Sequence, residues 1–152
     1  MIPRTAAETL KILARGYPVV AVTGPRQSGK TTLVRAAFPQ KPYVSLEDPD
    51  QREFAQDDPR RFLGRFADGA VLDEVQRCPA LFSYLQGRVD EDRRSGLFIL
   101  TGSQQFGLLS GVTQTLAGRV GFVRLLPFSL PELQAAARAP TELDELLYRG
   151  HY

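Results

Sequence analysis

Five short apolar runs, separated by longer amphipathic or polar stretches, organise this sequence. Val19-Val20-Ala21-Val22 is continuous and mostly β-branched, the pattern of a strand buried on both faces. Tyr43-Val44-Ser45-Leu46, Ala70-Val71-Leu72, Leu97-Phe98-Ile99-Leu100 and Phe122-Val123-Arg124-Leu125-Leu126 read as four more strands. The intervening stretches carry helical signals. Thr5-Ala6-Ala7-Glu8 has capping-box spacing, Leu10, Leu13 and Ala14 follow on one helical face, and Gly16 ends the helix. A second helix runs from about Lys30 to Ala37 and is closed by Pro39. Polar helical segments broken at Pro49 and Pro59 follow the second strand, and Pro79 is placed to start the helix after the third. Phe62, Phe66, Leu81, Phe82 and Leu85 fall at helical spacing and read as core. Thr141 to Leu147 also has a helical pattern. Strands alternating with helices imply βαβ units and a largely parallel sheet, an α/β fold with no internal repeat or interdomain linker.

Composition narrows the class without naming a function. The 152 residues suit one domain, and 43% hydrophobic with 24% charged residues is ordinary for a globular chain. The net charge of +2 is weak, and its arginines are interspersed with acids, so charge alone does not argue for a nucleic-acid partner. Cys78 is the single cysteine, which excludes an internal disulfide; with only His151 beside it, a structural zinc site cannot be assembled from these residues. No apolar run approaches the roughly 18 residues that a spanning helix needs. The expectation is a soluble cytoplasmic protein with no membrane partner.

The chemistry is concentrated after the first strand. Gly24-Pro25-Arg26-Gln27-Ser28-Gly29-Lys30-Thr31 fits G-x-x-x-x-G-K-[ST] at every fixed position. The glycines let the backbone curl until successive N–H groups converge on phosphate oxygens. The helix that begins near Lys30 aims its positive dipole end at the same phosphates. Lys30 is placed to reach the β- and γ-phosphates, the Thr31 hydroxyl to ligate Mg²⁺, and Thr32 to complete the loop. Chance would produce such a match in about one chain of this length in a few hundred, and its position between a strand and a helix lowers that further.

Ala70-Val71-Leu72-Asp73-Glu74 is an apolar strand ending in two acids. A carboxylate at the C-terminal end of a strand near a phosphate loop can hold Mg²⁺, usually through its water shell; Asp73 takes that role. Glu74 is placed to polarise the attacking water as general base. Leu97-Phe98-Ile99-Leu100-Thr101-Gly102-Ser103-Gln104 repeats the arrangement with neutral groups. There Thr101 or Ser103 contacts the γ-phosphate or the water, or else the segment is a Gly-Ser turn capping a helix. Arg119 precedes the fifth strand, and a guanidinium suits the charge that develops on a γ-phosphate, although surface arginines are common. Glu47-Asp48-Pro49-Asp50 reads as a solvated turn, Arg60-Arg61 and Arg93-Arg94 as solvated helix faces or ends, and Cys78 as packing.

Together these residues resemble a group of prokaryotic AAA-like ATPases, from about Tyr17 to Leu133. The resemblance rests on Thr23-Gly24-Pro25-Arg26-Gln27 through Thr32, Tyr43-Val44-Ser45-Leu46-Glu47-Asp48 and Leu72-Asp73-Glu74-Val75-Gln76-Arg77. It continues in Leu100-Thr101-Gly102-Ser103, Leu116-Ala117-Gly118-Arg119 and Leu126-Pro127-Phe128-Ser129-Leu130. It implies a three-layer sandwich with sheet order 5-1-4-3-2, Walker A and Walker B motifs, and Mg²⁺-dependent ATP hydrolysis. It also implies a sensor position at Thr101 and Ser103, and an arginine-finger region around Arg119. Gln104 and Gln105 depart from the smaller residues usual after such a Thr-Gly-Ser. Similar proteins run well beyond Tyr152, so the chain is expected to be an N-terminal ATPase domain. It would drive or switch a C-terminal domain and assemble as a homo-oligomer when full length.

Two other classes remain open from the residues themselves. A P-loop kinase would pass the phosphoryl group to a small acceptor. A non-hydrolysing module would use ATP to stabilise a fold that grips DNA or protein. A guanine-reading Asn-Lys-x-Asp motif is absent from the sequence.

Overall fold

The structure is a computed structural model, described for residues 5–25, 29–103 and 114–125. Its elements follow in the order α1 (Thr5–Gly16), β1 (Val19–Gly24), α2 (Lys30–Ala37), β2 (Tyr43–Ser45), α3 (Pro49–Asp57) and α4 (Pro59–Gly64). Then come β3 (Ala70–Asp73), a 3₁₀ turn (Val75–Arg77), α5 (Leu81–Glu91), β4 (Phe98–Ser103) and β5 (Val120–Arg124). The five strands form one sheet in the order β2-β3-β4-β1-β5, and every pairing is parallel. Read from the other edge this is 5-1-4-3-2, as the family resemblance implies. β4 lies between the strand before the phosphate loop and the strand ending in Asp73: Val20 pairs with Ile99, and Val71 pairs with Ile99 from the other side.

Alternation along each strand divides the core in two. Val19, Ala21, Ala70, Leu72, Phe98 and Leu100 face one way and pack with Phe62, Phe66, Leu81, Phe82 and Leu85 of the α4–α5 side. Val20, Val22, Val71, Ile99 and Val123 face the other way and pack with Leu10 of α1 and Leu33 and Val34 of α2. Both faces of the sheet are therefore covered by helices, which explains why the strands read as continuous apolar runs. Cys78 is fully buried in the first of these clusters, as packing.

Several boundaries differ from the pattern-based expectation for local reasons. Pro49 and Pro59 each begin a helix: the Asp48 side chain accepts from the Asp50 N–H, and Asp58 accepts from the Arg61 N–H. Proline's missing N–H is harmless in a first turn, so each Asp-Pro pair is a start signal. Pro79 lies two residues before α5, which opens at Leu81 with Ala80 as its cap, and the Pro79 carbonyl accepts from the Phe82 N–H. Thr5 is already helical and so is not the cap that its spacing suggested. β5 begins at Val120, two residues early, and Leu126 and the expected helix from Thr141 lie outside the described residues. β4 continues through Thr101-Gly102-Ser103, which pair in register with Val22, Thr23 and Gly24, so this segment is strand and not a turn. Gly69, before β3, has φ +82°, and a Cβ there would fall 1.6 Å from the Leu97 carbonyl oxygen, a position only glycine can occupy.

Candidate functional site

Parallel strands bring all their C-terminal ends to one edge of the sheet, and the site is assembled there. β1 ends at Gly24, and α2 starts at Lys30 after Gly29, whose φ of 86° is left-handed. Arg26, Gln27 and Ser28 lie outside the described residues. Lys30 is 6% exposed, and its Nζ donates to the carbonyls of Gly24 at 3.0 Å and Pro25 at 2.8 Å. The ammonium thus reaches back from the start of α2 to the end of β1. Thr31 is half-buried beside it, and Thr32 is exposed on the outer side of the helix.

Side-chain alternation explains what meets Thr31. Asp73 follows Val71 by two and Thr101 follows Ile99 by two, so both polar residues lie on the α1–α2 face of the sheet. Leu72 pairs with Leu100, which sets Asp73 and Thr101 one step further along adjacent strands. The Thr31 hydroxyl donates to Asp73 Oδ2 at 3.0 Å, and the Thr101 hydroxyl donates a short hydrogen bond to Asp73 Oδ1. A third hydroxyl arrives from β2: the Tyr43 phenol donates a short hydrogen bond to Oδ2. Burial and the Asp73 carboxylate together raise the Tyr43 phenol from its usual 10.0 to about 12, so it stays a donor at neutral pH. Asp73 itself is 6% exposed and Thr101 is fully buried.

Glu74, the residue after the strand, is the only non-glycine with positive φ among the described residues, at φ 56° and ψ 44°. Such a conformation is uncommon for a side-chain-bearing residue and gathers at functional sites. Its N–H donates to Thr101 Oγ1 at 3.3 Å, and its Oε2 accepts from Gln76 Nε2. Gln76 Oε1 is buried and without a hydrogen-bond partner among the described residues. One threonine therefore holds both acids: it donates to the carboxylate of Asp73 and accepts from the backbone of Glu74.

The geometry brings Lys30, Thr31, Asp73, Glu74 and Thr101 together, with Ser103 at the same edge of the sheet opposite Gly24. It gives Thr101 a different task from the expected one. Its hydroxyl is committed to Asp73 and the Glu74 backbone, so it orients the acids. Arg119 does not join the site. Val120 pairs with Val19, at the opposite end of β1 from Gly24, a separation of about 17 Å at roughly 3.3 Å per strand residue. There the guanidinium forms a two-pronged ion pair with Asp90 of α5, Nε to Oδ1 at 2.6 Å and Nη2 to Oδ2 at 3.1 Å. The pairing holds the Asp90 carboxyl below its usual range. Arg119 thus lies away from the phosphate loop of its own subunit.

Tyr43 and Gln76 lie in blocks that carry the family resemblance, but their contacts could not be read from them, because these depend on strand register and on the turn after β3. The donor set is suited to Mg²⁺: hard oxygens of one hydroxyl and one carboxylate, with the remaining positions left to phosphate and water. Among the described residues there is no group of three or more His, Cys, Asp or Glu that could hold a metal ion. No helix of the described residues is long and apolar enough to cross a membrane.

Comparison with known proteins agrees with this architecture. Uncharacterized protein Rv2008c of Mycobacterium tuberculosis is 35% identical over 150 residues, covering 97% of this chain and 32% of its own. Uncharacterized protein Mb2031c of Mycobacterium bovis matches equally, so the chain spans about a third of the length of the curated relatives it matches. Among solved structures, the Walker-type ATPase PABY2304 of Pyrococcus abyssi shares the fold at 19% identity and TM-score 0.62, over 98% of this chain and 62% of that one. AMPPCP-bound DnaA from Aquifex aeolicus does so at 17% identity and TM-score 0.57, over 94% and 52%. The AAA domain family matches residues 16–134, most of the chain and every strand of the sheet. On that match, and on a parallel sheet in the order described, the chain belongs to the AAA domain family of P-loop ATPases.

Proposed function

We propose that this domain binds ATP with Mg²⁺ and hydrolyses it, and that the turnover drives or switches a domain attached C-terminally. The observation that carries the reading is the Thr31–Asp73 hydrogen bond at 3.0 Å, one residue after Lys30 at the start of α2. It joins the residue typed to ligate Mg²⁺ to the carboxylate typed to hold the ion's water shell. In this reading the backbone of Gly24–Thr32 cradles the phosphates, and Lys30 exchanges its carbonyl partners for the β- and γ-phosphate oxygens. Glu74 accepts a proton from the attacking water, and Ser103 faces the γ-phosphate side of the pocket. Mg²⁺, when bound, neutralises charge on the phosphates; this chain's part is to orient it through Thr31 and Asp73.

Arg119 serves a neighbouring subunit in this proposal, since its distance from its own loop leaves no other phosphate within reach. Full-length protein should then be a homo-oligomer, acting in the cytoplasm on a DNA or protein partner through its remaining domain. Phosphate release from ATP, followed with Mg²⁺, with EDTA and with candidate small acceptors, tests the reading. Mg²⁺-dependent release of inorganic phosphate without an acceptor supports it. Acceptor-dependent ADP formation would replace it with a kinase, and stable ATP occupancy without turnover by the full-length assembly would replace it with a binding module.

A further inference from the structure

The carboxylate of Asp73 has more partners than a strand-end acid needs. A carboxylate offers about four acceptor sites, two on each oxygen. Oδ2 receives the hydroxyls of Thr31 and Tyr43, and Oδ1 receives that of Thr101. The three donors come from α2, β2 and β4, three different elements converging on the end of β3. The terminal torsion of an aspartate is soft, and donors from three directions remove that freedom. They leave one acceptor site, on Oδ1.

Tyr43 is itself held for this task. Its ring packs against the cluster of Val20, Val71 and Ile99, and the Arg35 guanidinium of α2 lies over the ring, 4.5 Å from its centroid. Tyr43 pairs with Val71, two residues before Asp73 on the neighbouring strand. A phenol is long enough to span that offset along the strand, whereas a serine or threonine at this position is not.

We propose that Tyr43 is a positioning residue for the metal-holding carboxylate: its hydroxyl occupies Asp73 Oδ2 beside Thr31, so that the open acceptor site of Asp73 faces the metal's water shell in one orientation. The proposal rests on the reading of Asp73 as the Mg²⁺ carboxylate. It adds a residue from the edge strand β2, which the phosphate-loop and strand-end motifs do not contain. Partners that orient a metal ligand typically change metal affinity about 10–100-fold when removed; with two of three donors left in place, the effect here is about tenfold.

Tyr43→Phe keeps the ring and its contact with Arg35 and removes only the hydroxyl. Calorimetric titration with ATP, in Mg²⁺ and separately in EDTA, reads the metal's contribution without requiring turnover. The expected result is unchanged affinity for metal-free ATP, affinity for Mg·ATP about tenfold weaker, and a cooperative melt. Equal affinities to wild type in both titrations, or an equal loss in both, would overturn the proposal. So would loss of cooperative melting, which would make the hydroxyl a structural group. Asp73→Ala separates the two levels of the argument. If it abolishes the advantage of Mg·ATP while Tyr43→Phe does not, Tyr43 alone is misassigned. If it leaves that advantage intact, the reading of Asp73 fails and takes the proposal with it.

Discussion

Thr101→Val probes the hydroxyl that links the two acids. Valine has nearly the shape of threonine and suits a central strand, so packing on β4 is preserved. The loss is polar. The Thr101 hydroxyl is fully buried, donates to the Asp73 carboxylate and accepts the Glu74 N–H at 3.3 Å. A hydrogen bond to a charged group contributes about 1.5–3 kcal/mol, and a long neutral one less than about 1 kcal/mol. Since Asp73 is only 6% exposed, water cannot easily replace the missing donor. The expected destabilisation is about 2–3 kcal/mol, which lowers the melting temperature of a chain this size by about 5–10 °C. Thermal and urea unfolding in EDTA measure it. A double-mutant cycle with Asp73→Ala assigns the energy: without the carboxylate, Thr101→Val should lose most of its effect, giving a coupling of about 1–2 kcal/mol. A destabilisation under about 0.5 kcal/mol, or additive effects in the cycle, would refute the claim that Thr101 holds Asp73. A wild-type melt combined with slower turnover would instead restore Thr101 as a γ-phosphate sensor.

Three further perturbations address other parts of the site. Lys30→Ala should nearly abolish ATP binding by calorimetry, because it removes the ammonium seated over the Gly24 and Pro25 carbonyls; unchanged affinity would reject the phosphate-loop assignment. The Tyr43 phenol is raised to about 12 from 10.0, so its contribution to stability is complete below pH 10 and is lost as pH rises toward 12. The stability difference between wild type and Tyr43→Phe, from urea midpoints in EDTA, should therefore shrink above pH 10. In a full-length assembly, Arg119→Ala and Glu74→Gln proteins should each be slow alone and regain turnover when subunits are exchanged. Such fingers contribute about 10³–10⁵ in rate, and absence of rescue despite verified exchange would confine Arg119 to its ion pair with Asp90.

The sheet and the phosphate loop were legible because each has a local signal. Val19–Val22 and Ala70–Leu72 are apolar at every position, which only a strand covered on both faces requires. The strand order was not local: nothing in Leu97–Leu100 itself places it between β1 and β3, and the order came through the resemblance. Asp73 was legible as an acid ending an apolar strand. Tyr43 was not, since its role follows from a register between β2 and β3 that neither segment encodes alone. Thr101 was legible as a polar residue at a strand end, but its bonds to Asp73 and Glu74 were not, because a Thr-Gly-Ser there does not reveal which neighbour its hydroxyl meets. Arg119 was legible as the residue before the fifth strand; that it emerges at the edge opposite the phosphate loop follows from the parallel pairing of β5 with β1, which its own segment does not encode. The left-handed backbone of Glu74 had no sequence sign, as glutamate is not a residue chosen for that conformation.

The central claim is that Glu74, held between Thr101 and Gln76, accepts the proton of the water that attacks Mg·ATP. Glu74→Gln keeps the side-chain shape and removes the base. Binding of Mg·ATP and release of phosphate, measured on the same full-length preparations of wild type and variant, test it most directly. The account predicts Mg·ATP affinity within a few-fold of wild type and turnover lower by about 10²–10⁴. Turnover equal to wild type, with binding intact, would contradict it and return Glu74 to a structural turn after β3.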